Sequence, residues 1–219
     1  GKFGGGGYAV SGGLHGVGIS VVNALSTRVI TTVRNQGYVW TTSFHNGGHI
    51  DQPLERGAET SETGTEQVFY PDPEIFETVD FDYETLRARF QQMAFLNKGL
   101  RITLTDEREA ADFDDEVAEE KKTSEQKLNE EGTTSEGYRV VVYQYDDGLL
   151  DYVKFLNASQ KTNVIHDDVI ALEVEDTEKK LSLELAMQWT ESYKESVHTY
   201  ANTINTHEGG THEEGFRTA

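Results

Sequence analysis

The sequence predicts an α+β protein built on antiparallel sheets. Three observations carry this: stretches where β-branched and aromatic residues alternate with polar ones, Gly- and Asn-rich turn signals between them, and few helical segments, none in repeating β-α-β units. No internal repeat is present.

The first element is a glycine-rich loop running into a helix. Glycines stand at 4–7, 12, 13, 16 and 18, and after Gly18 the residues Ile19, Val22, Leu25 and Val29 follow the spacing of one helical face. Glycine lets a backbone approach another group closely, and a helix start presents unpaired N–H groups with a partial positive charge. Together they form a candidate anion site, phosphate above all. The plainer alternative is a surface turn capped by Ser20.

Residues 28–50, "RVITTVRNQGYVWTTSFHNGGHI", predict two antiparallel strands broken at Asn35-Gln36-Gly37 and Asn46-Gly47-Gly48. "TGTEQVFYPD" (63–72) adds a strand stopped by Pro71 and Pro73. From Tyr83 to Leu96 the positions of Leu86, Phe90, Met93 and Phe95 predict a helix, ended by Asn97-Lys98-Gly99. "LRITLTDE" and "YRVVVYQY" (138–145) are strands, and "LLDYVKFLNAS" is a helix. "DDVIALEVE" and "LSLELAMQWTES" follow as two strands around the turn "DTEKK", and "ESVHTYANTIN" reads as a last strand. A helix begins at the end of the chain, with Thr211 and Glu214 spaced as a capping box. The natural domain boundary lies at Asp146 to Leu149.

The 219 residues are 36% hydrophobic, enough for a core. No stretch approaches the roughly 18 apolar residues of a membrane helix, and a signal-peptide pattern is missing from the first residues, so a cytoplasmic location is expected. The absence of cysteine excludes disulfides, thiolate zinc sites and a cysteine nucleophile. A net charge of −20 argues against this chain gripping DNA unaided. Residues 106–137 hold 13 acids against 4 bases. Such a segment buries too little apolar surface to offset its ordering entropy, so 109–137 is expected as a disordered insertion. The first residue is not Met, and the last helix has only begun, so an internal fragment is expected.

The opening loop departs from two known phosphate motifs. A Walker A loop needs Gly-Lys-Ser/Thr where Gly18, Ile19 and Ser20 stand, and the dinucleotide pattern needs a glycine where Val21 stands. Neither fits. "GKF", Tyr8, "VSGGLHGVG" and "SVVNALS" resemble instead the ATP lid of the gyrase and topoisomerase branch of the histidine-kinase-like ATPases. "TGT", "PD", "MAFLNKGLRITLTDER", "AMQW" and "ANTINTHEGGTHEEGFR" continue in the order of its gyrase B members.

This resemblance implies a partial two-layer ATPase sandwich over 1–148, with the insertion at 109–137, and the start of a ribosomal-protein-S5-like transducer domain over 149–219. It implies that Gly13, Leu14, His15, Gly16, Val17 and Gly18 wrap the phosphates of ATP, that Lys2 lies near them, that Tyr8 contacts the nucleoside, and that Thr65 stands beside the adenine. The family's general base is a glutamate upstream of residue 1, as are its Mg²⁺ asparagine and its adenine-reading aspartate. No catalytic residue and no metal ligand is therefore expected here, and the fragment is expected to be inactive alone. The implied partners are DNA gyrase A, a second copy of gyrase B, and double-stranded DNA through the holoenzyme. The B chain of topoisomerase IV, or a non-catalytic nucleotide-binding module, is the alternative. The family's aminocoumarin-contacting arginine falls at Asn35, with Arg34 just before it. His207, Glu208 and His212 tempt a metal reading, but the two histidines are five apart with two glycines between them, which does not match the helical spacing of zinc proteases.

Overall fold

A computed structural model describes residues 17–108 and 129–219. The chain divides into two compact units, Gly1–Phe81 and Asp82–Ala219.

In the first unit, helix α1 (Gly18–Ala24) leads into four strands: β1 (Ser26–Asn35), β2 (Tyr38–His45), β3 (His49–Glu59) and β4 (Gly64–Pro71). All pair antiparallel in the order β3-β2-β1-β4. The helix is shorter than its spacing predicts. Val29, expected on the helical face, instead sits in β1 with 2% of its surface exposed. The run Val29-Ile30-Thr31-Thr32-Val33 is β-branched throughout, and such side chains fit a pleated strand better than a helix. The β1–β2 hairpin turns on Gln36 (φ 54°) and Gly37 (φ 82°), the two positive φ values that a two-residue loop of matching twist requires.

A third strand continues beyond the two predicted from residues 28–50. β3 contains Pro53 and Gly57, has no regular alternation, and slips register against β2 at three places. An edge position tolerates all of this, because one side of its backbone is unpaired.

The second unit contains α2 (Tyr83–Phe95), β5 (Ile102–Asp106), β6 (Asn129–Thr133), β7 (Arg139–Tyr143), α3 (Leu149–Gln160), β8 (Ile170–Asp176), β9 (Leu181–Met187), β10 (Tyr200–Ala201), β11 (Ile204–Asn205) and α4 (Thr211–Thr218). The Asp82 carboxylate caps α2 by accepting from the Thr85 amide at 2.7 Å. Gly99 takes φ 74° and donates its N–H to the Tyr145 carbonyl at 2.9 Å, so the exit from α2 is tied to the end of β7. β5, β7 and β6 form one antiparallel sheet with β7 central, and β8 and β9 form a separate hairpin.

Three expectations change here. Part of the acidic insertion is structured, since residues 129–133 pair along the length of β7. An edge strand needs backbone pairing more than apolar side chains, so composition hid it. Residues 109–128 lie outside the described residues. The last predicted strand is instead a tight hairpin, turning on Asn202 (φ 48°) and Thr203 (φ 68°). The capping box at Thr211 does not form. Gly210 is the N-cap, and a Cβ there would lie 2.7 Å from the His212 ring.

The core of the second unit is centred on Phe95, 1% exposed. Its ring stacks on Tyr145 at 3.7 Å and on Tyr152 at 4.9 Å, with Phe155 tilted beside it at 5.2 Å. Gly148, between β7 and α3, takes φ 55° and sits close to its neighbours, since a Cβ there would lie 3.3 Å from Lys98 Cβ and 3.4 Å from the Phe95 carbonyl oxygen. This core therefore joins α2, β7 and α3 across residue 148.

Phe95→Ala should cost about 3–5 kcal/mol of the second unit's stability in chemical denaturation, whereas Leu54→Ala on exposed β3 should stay within about 0.5 kcal/mol. Hydrogen bonds from Arg108 hold the Asp106 carboxyl below the usual carboxylate range; its Nε donates to Oδ1 at 2.8 Å and to Oδ2 at 3.1 Å. A lowered folded-state pKa gives stability that is complete above the ordinary aspartate value and lost as pH falls through the lowered one. Asp106→Asn should accordingly flatten the acid limb of a stability-versus-pH curve and leave its neutral part sloping as before.

Candidate functional site

Val17 is the N-cap of α1 and Gly18 its first residue. Val17 makes no side-chain cap, and the first turn contains no acidic residue. The first amides of a helix have no intrahelical acceptor, so this end offers donors with no carboxylate in the first turn. The helical ladder begins with the Val21 amide on the Val17 carbonyl at 3.0 Å. Among the described residues, apart from its chain neighbours and its own helix backbone, nothing lies within 4 Å of where a Cβ on Gly18 would be. Gly13, Leu14, His15 and Gly16 lie outside the described residues, as do Lys2 and Tyr8.

Two contacts anchor the far end of α1. Ser26 Oγ donates to the Val22 carbonyl at 2.7 Å, and the Asp72 amide donates to the Leu25 carbonyl at 3.1 Å. Val21, Val22 and Leu25 then face Phe69, Pro71 and Phe76 across an apolar groove of about 200 Å³.

Thr65 belongs to this same side of the sheet. Alternate residues of a strand share a face, so Thr65, Gln67, Phe69 and Pro71 line one face of β4, and Phe69 and Pro71 are the residues that meet α1. Thr65 pairs with Val33, Gln67 with Thr31 and Phe69 with Val29. Thr31 Oγ1 donates to Gln67 Oε1 at 2.8 Å. The face thus grades from apolar beneath α1 to polar at Thr65. Thr31 and Gln67 were not singled out by sequence; the alternation of β4 about Thr65 would have found Gln67, but Thr31 needed the pairing register.

The remaining candidates lie apart from this face in role. Arg34 reaches Glu62 at 3.3 Å and Glu66 at 3.5 Å, while Asn35 accepts the Gln36 amide in the hairpin turn. In the second unit, His212 Nε2 meets Thr206 Oγ1 at 3.2 Å, and His207 and Glu208 line a polar cleft beside Glu213 and Arg217. Among the described residues no three His, Asp or Glu side chains are grouped to hold a metal ion. No helix among them is long and apolar enough to cross a membrane.

The family described as DNA gyrase B matches residues 148–219. Across its whole length the chain is 62% identical to the DNA gyrase B protein of Micrococcus luteus and 54% identical to that of Streptomyces coelicolor, covering 32% and 30% of those proteins. It therefore spans about a third of the length of these relatives. Among solved structures, the 43K ATPase domain of Thermus thermophilus gyrase B in complex with an aminocoumarin superposes with a TM-score of 0.71. That match has 28% identity and covers 93% of this chain and 47% of the other. The gyrase B structure from Myxococcus xanthus shares the fold at a TM-score of 0.65 and 22% identity, over 91% of this chain and 50% of the other.

Proposed function

This chain belongs to the DNA gyrase B family, and on that premise we propose that it forms the second part of the ATPase domain and the first part of the transducer domain of a gyrase B protein. In this reading the boundary between the two parts lies between residues 148 and 149, and the start of the family match at 148 supports it. The observation that carries the function is the acid-free first turn of α1, which follows the glycine-rich sequence directly and belongs to a helix packed on the face of the sheet that also carries Thr65.

The donor set suits a nucleoside triphosphate. Backbone amides of Gly13, Leu14, His15, Gly16, Val17 and Gly18 donate to phosphate oxygens, and the acid-free first turn of α1 adds a favourable partial charge. Lys2 adds a positive charge near the phosphates, Tyr8 contacts the nucleoside and the Thr65 hydroxyl serves the adenine side. His15 binds and does not transfer the proton. ATP supplies the phosphoanhydride whose hydrolysis drives the cycle, and no Mg²⁺ ligand or general base is assigned to these residues. Closure of this segment over the nucleotide couples its backbone conformation to binding.

In the intact protein, ATP binding closes the segment on the phosphates and brings two gyrase B chains together. Hydrolysis resets them, and the cycle drives DNA strand passage and negative supercoiling with gyrase A. The reading implies a cytoplasmic protein that meets double-stranded DNA through the holoenzyme, consistent with a chain too acidic to hold it unaided.

Replacing His15 and Gly16 together with bulkier residues in the full-length protein should weaken binding of a non-hydrolysable ATP analogue about tenfold or more, by titration calorimetry. Unchanged affinity would remove the lid assignment. Reconstituted with gyrase A on relaxed plasmid, the full-length protein should introduce negative supercoils in an ATP-dependent way. Relaxation or decatenation without supercoiling would point to topoisomerase IV, and no ATP turnover at all to a binding module.

A further inference from the structure

The sequence after residue 148 meets α2 through a cluster of hydroxyl and amide groups that the nucleotide site does not use. Gln92 of α2 donates through Nε2 to the Tyr200 hydroxyl at 2.9 Å and lies 3.5 Å from the Tyr152 hydroxyl of α3. The two tyrosine hydroxyls are 3.0 Å apart. Three elements, α2, α3 and β10, therefore converge on one small polar triangle at the edge of the aromatic core. Burial first, and Tyr152 second, push the Tyr200 hydroxyl well above the ordinary tyrosine range, so it stays a protonated donor at any physiological pH.

Tyr200 is also joined to α4 through its neighbour. Thr199 Oγ1 lies 2.7 Å from Thr206 Oγ1 and 3.3 Å from Glu213 Oε2, and the Thr206 amide donates to the Thr199 carbonyl at 2.9 Å. Glu213 accepts from Arg217 Nε at 2.9 Å, and Arg217 also reaches Glu195 at 2.9 Å. Two hydrogen bonds, Gln92 to Tyr200 and Thr199 to Glu213, on either side of the peptide bond between residues 199 and 200, thus connect α2 to the first turn of α4.

We infer that Tyr200 is a positioning residue for energy coupling: its hydroxyl pegs the β10–β11 hairpin and α4 to α2, so that movement on the ATPase side is delivered to the transducer side. The inference rests on the gyrase B reading of the chain. It assigns the transfer to a side-chain junction inside the second unit, in addition to the covalent connection at residue 148. Such a junction acts on coupling and leaves nucleotide binding alone, because none of its members belongs to the proposed ATP site.

The test uses the full-length protein reconstituted with gyrase A. Tyr200→Phe keeps the ring and its packing and removes only the hydroxyl, while Gln92→Met removes the donor from the other side. Each variant should bind the non-hydrolysable ATP analogue as the parent does and hydrolyse ATP at a comparable rate. Supercoils introduced per ATP consumed should fall about threefold or more. The double variant should lose less than the sum of the two singles, since both remove the Gln92–Tyr200 contact they share. Thermal melting of each variant reports any general loss of stability, which would lower turnover and supercoiling together and overturn the assignment. Supercoiling per ATP equal to the parent's in both singles, additive losses in the double, or reduced nucleotide affinity would each overturn it too. A parent that neither binds ATP nor supercoils would instead bring down the gyrase reading, and this inference with it.

Discussion

The ring of Phe95, lying flat against Tyr145 and Tyr152, is the constraint on which the second unit depends. It comes from the last turn of α2, where a side chain points back over the preceding turn, and it fills the space between the end of β7 and the first turns of α3. Everything around it is arranged to permit that approach. Gly99 turns the chain sharply out of α2 and bonds to Tyr145, and Gly148 lets α3 begin against Lys98 and the Phe95 carbonyl. Once Phe95 is seated, the same helix aims polar groups at hydroxyls. Gln91 donates to Tyr145 at 3.0 Å, Arg87 approaches Tyr143 at 3.5 Å, and Gln92 meets Tyr200. Tyr143 and Tyr145 bury their rings in the core and Tyr200 packs against it, and α2 offers each of these hydroxyls a partner, without which burying it would cost free energy.

The first unit is organised by β1 in the same sense. It is paired on both sides, so its register fixes which residues of β2 and β4 share a face. A shift of one residue would move Phe69 from beneath α1 and carry Thr65 to the opposite face. The candidate nucleotide surface is thus a consequence of register, and α1 only completes it. Its amide end contributes direction and partial charge, while shape comes from the strand.

Much of this was legible in the sequence wherever one local rule dominated. Asn35-Gln36-Gly37 announces its hairpin because only a few residues tolerate two positive φ values in succession, and Gly99 marks the end of α2 because helix termination is local; the Asp82 cap at its start was not singled out. Strands β5 and β7 and the β8–β9 hairpin follow from alternation. What escaped depends on partners distant in sequence. β3 and β6 lack the apolar signature because edge strands are held by the backbone of a neighbour, and Val29 changes from helix to strand because β1 is paired on both sides. The cap of α4 went to Gly210 because the His212 ring occupies the space a side chain there would need. In the candidate site, the glycine segment and Thr65 were readable as motifs, whereas Thr31 joins it only through strand register; outside that site, the Tyr200 junction exists only through tertiary packing.

The central claim is that the backbone of Gly13 to Gly18 closes on the phosphates of ATP. Residue-resolved amide hydrogen exchange on the full-length protein, with and without a saturating non-hydrolysable ATP analogue, addresses it most directly. Closure predicts that amides 13–18 exchange about tenfold or more slowly when the analogue is bound, as expected for donors engaged in hydrogen bonds. Exchange at those amides that is unchanged while the analogue is demonstrably bound would contradict the account.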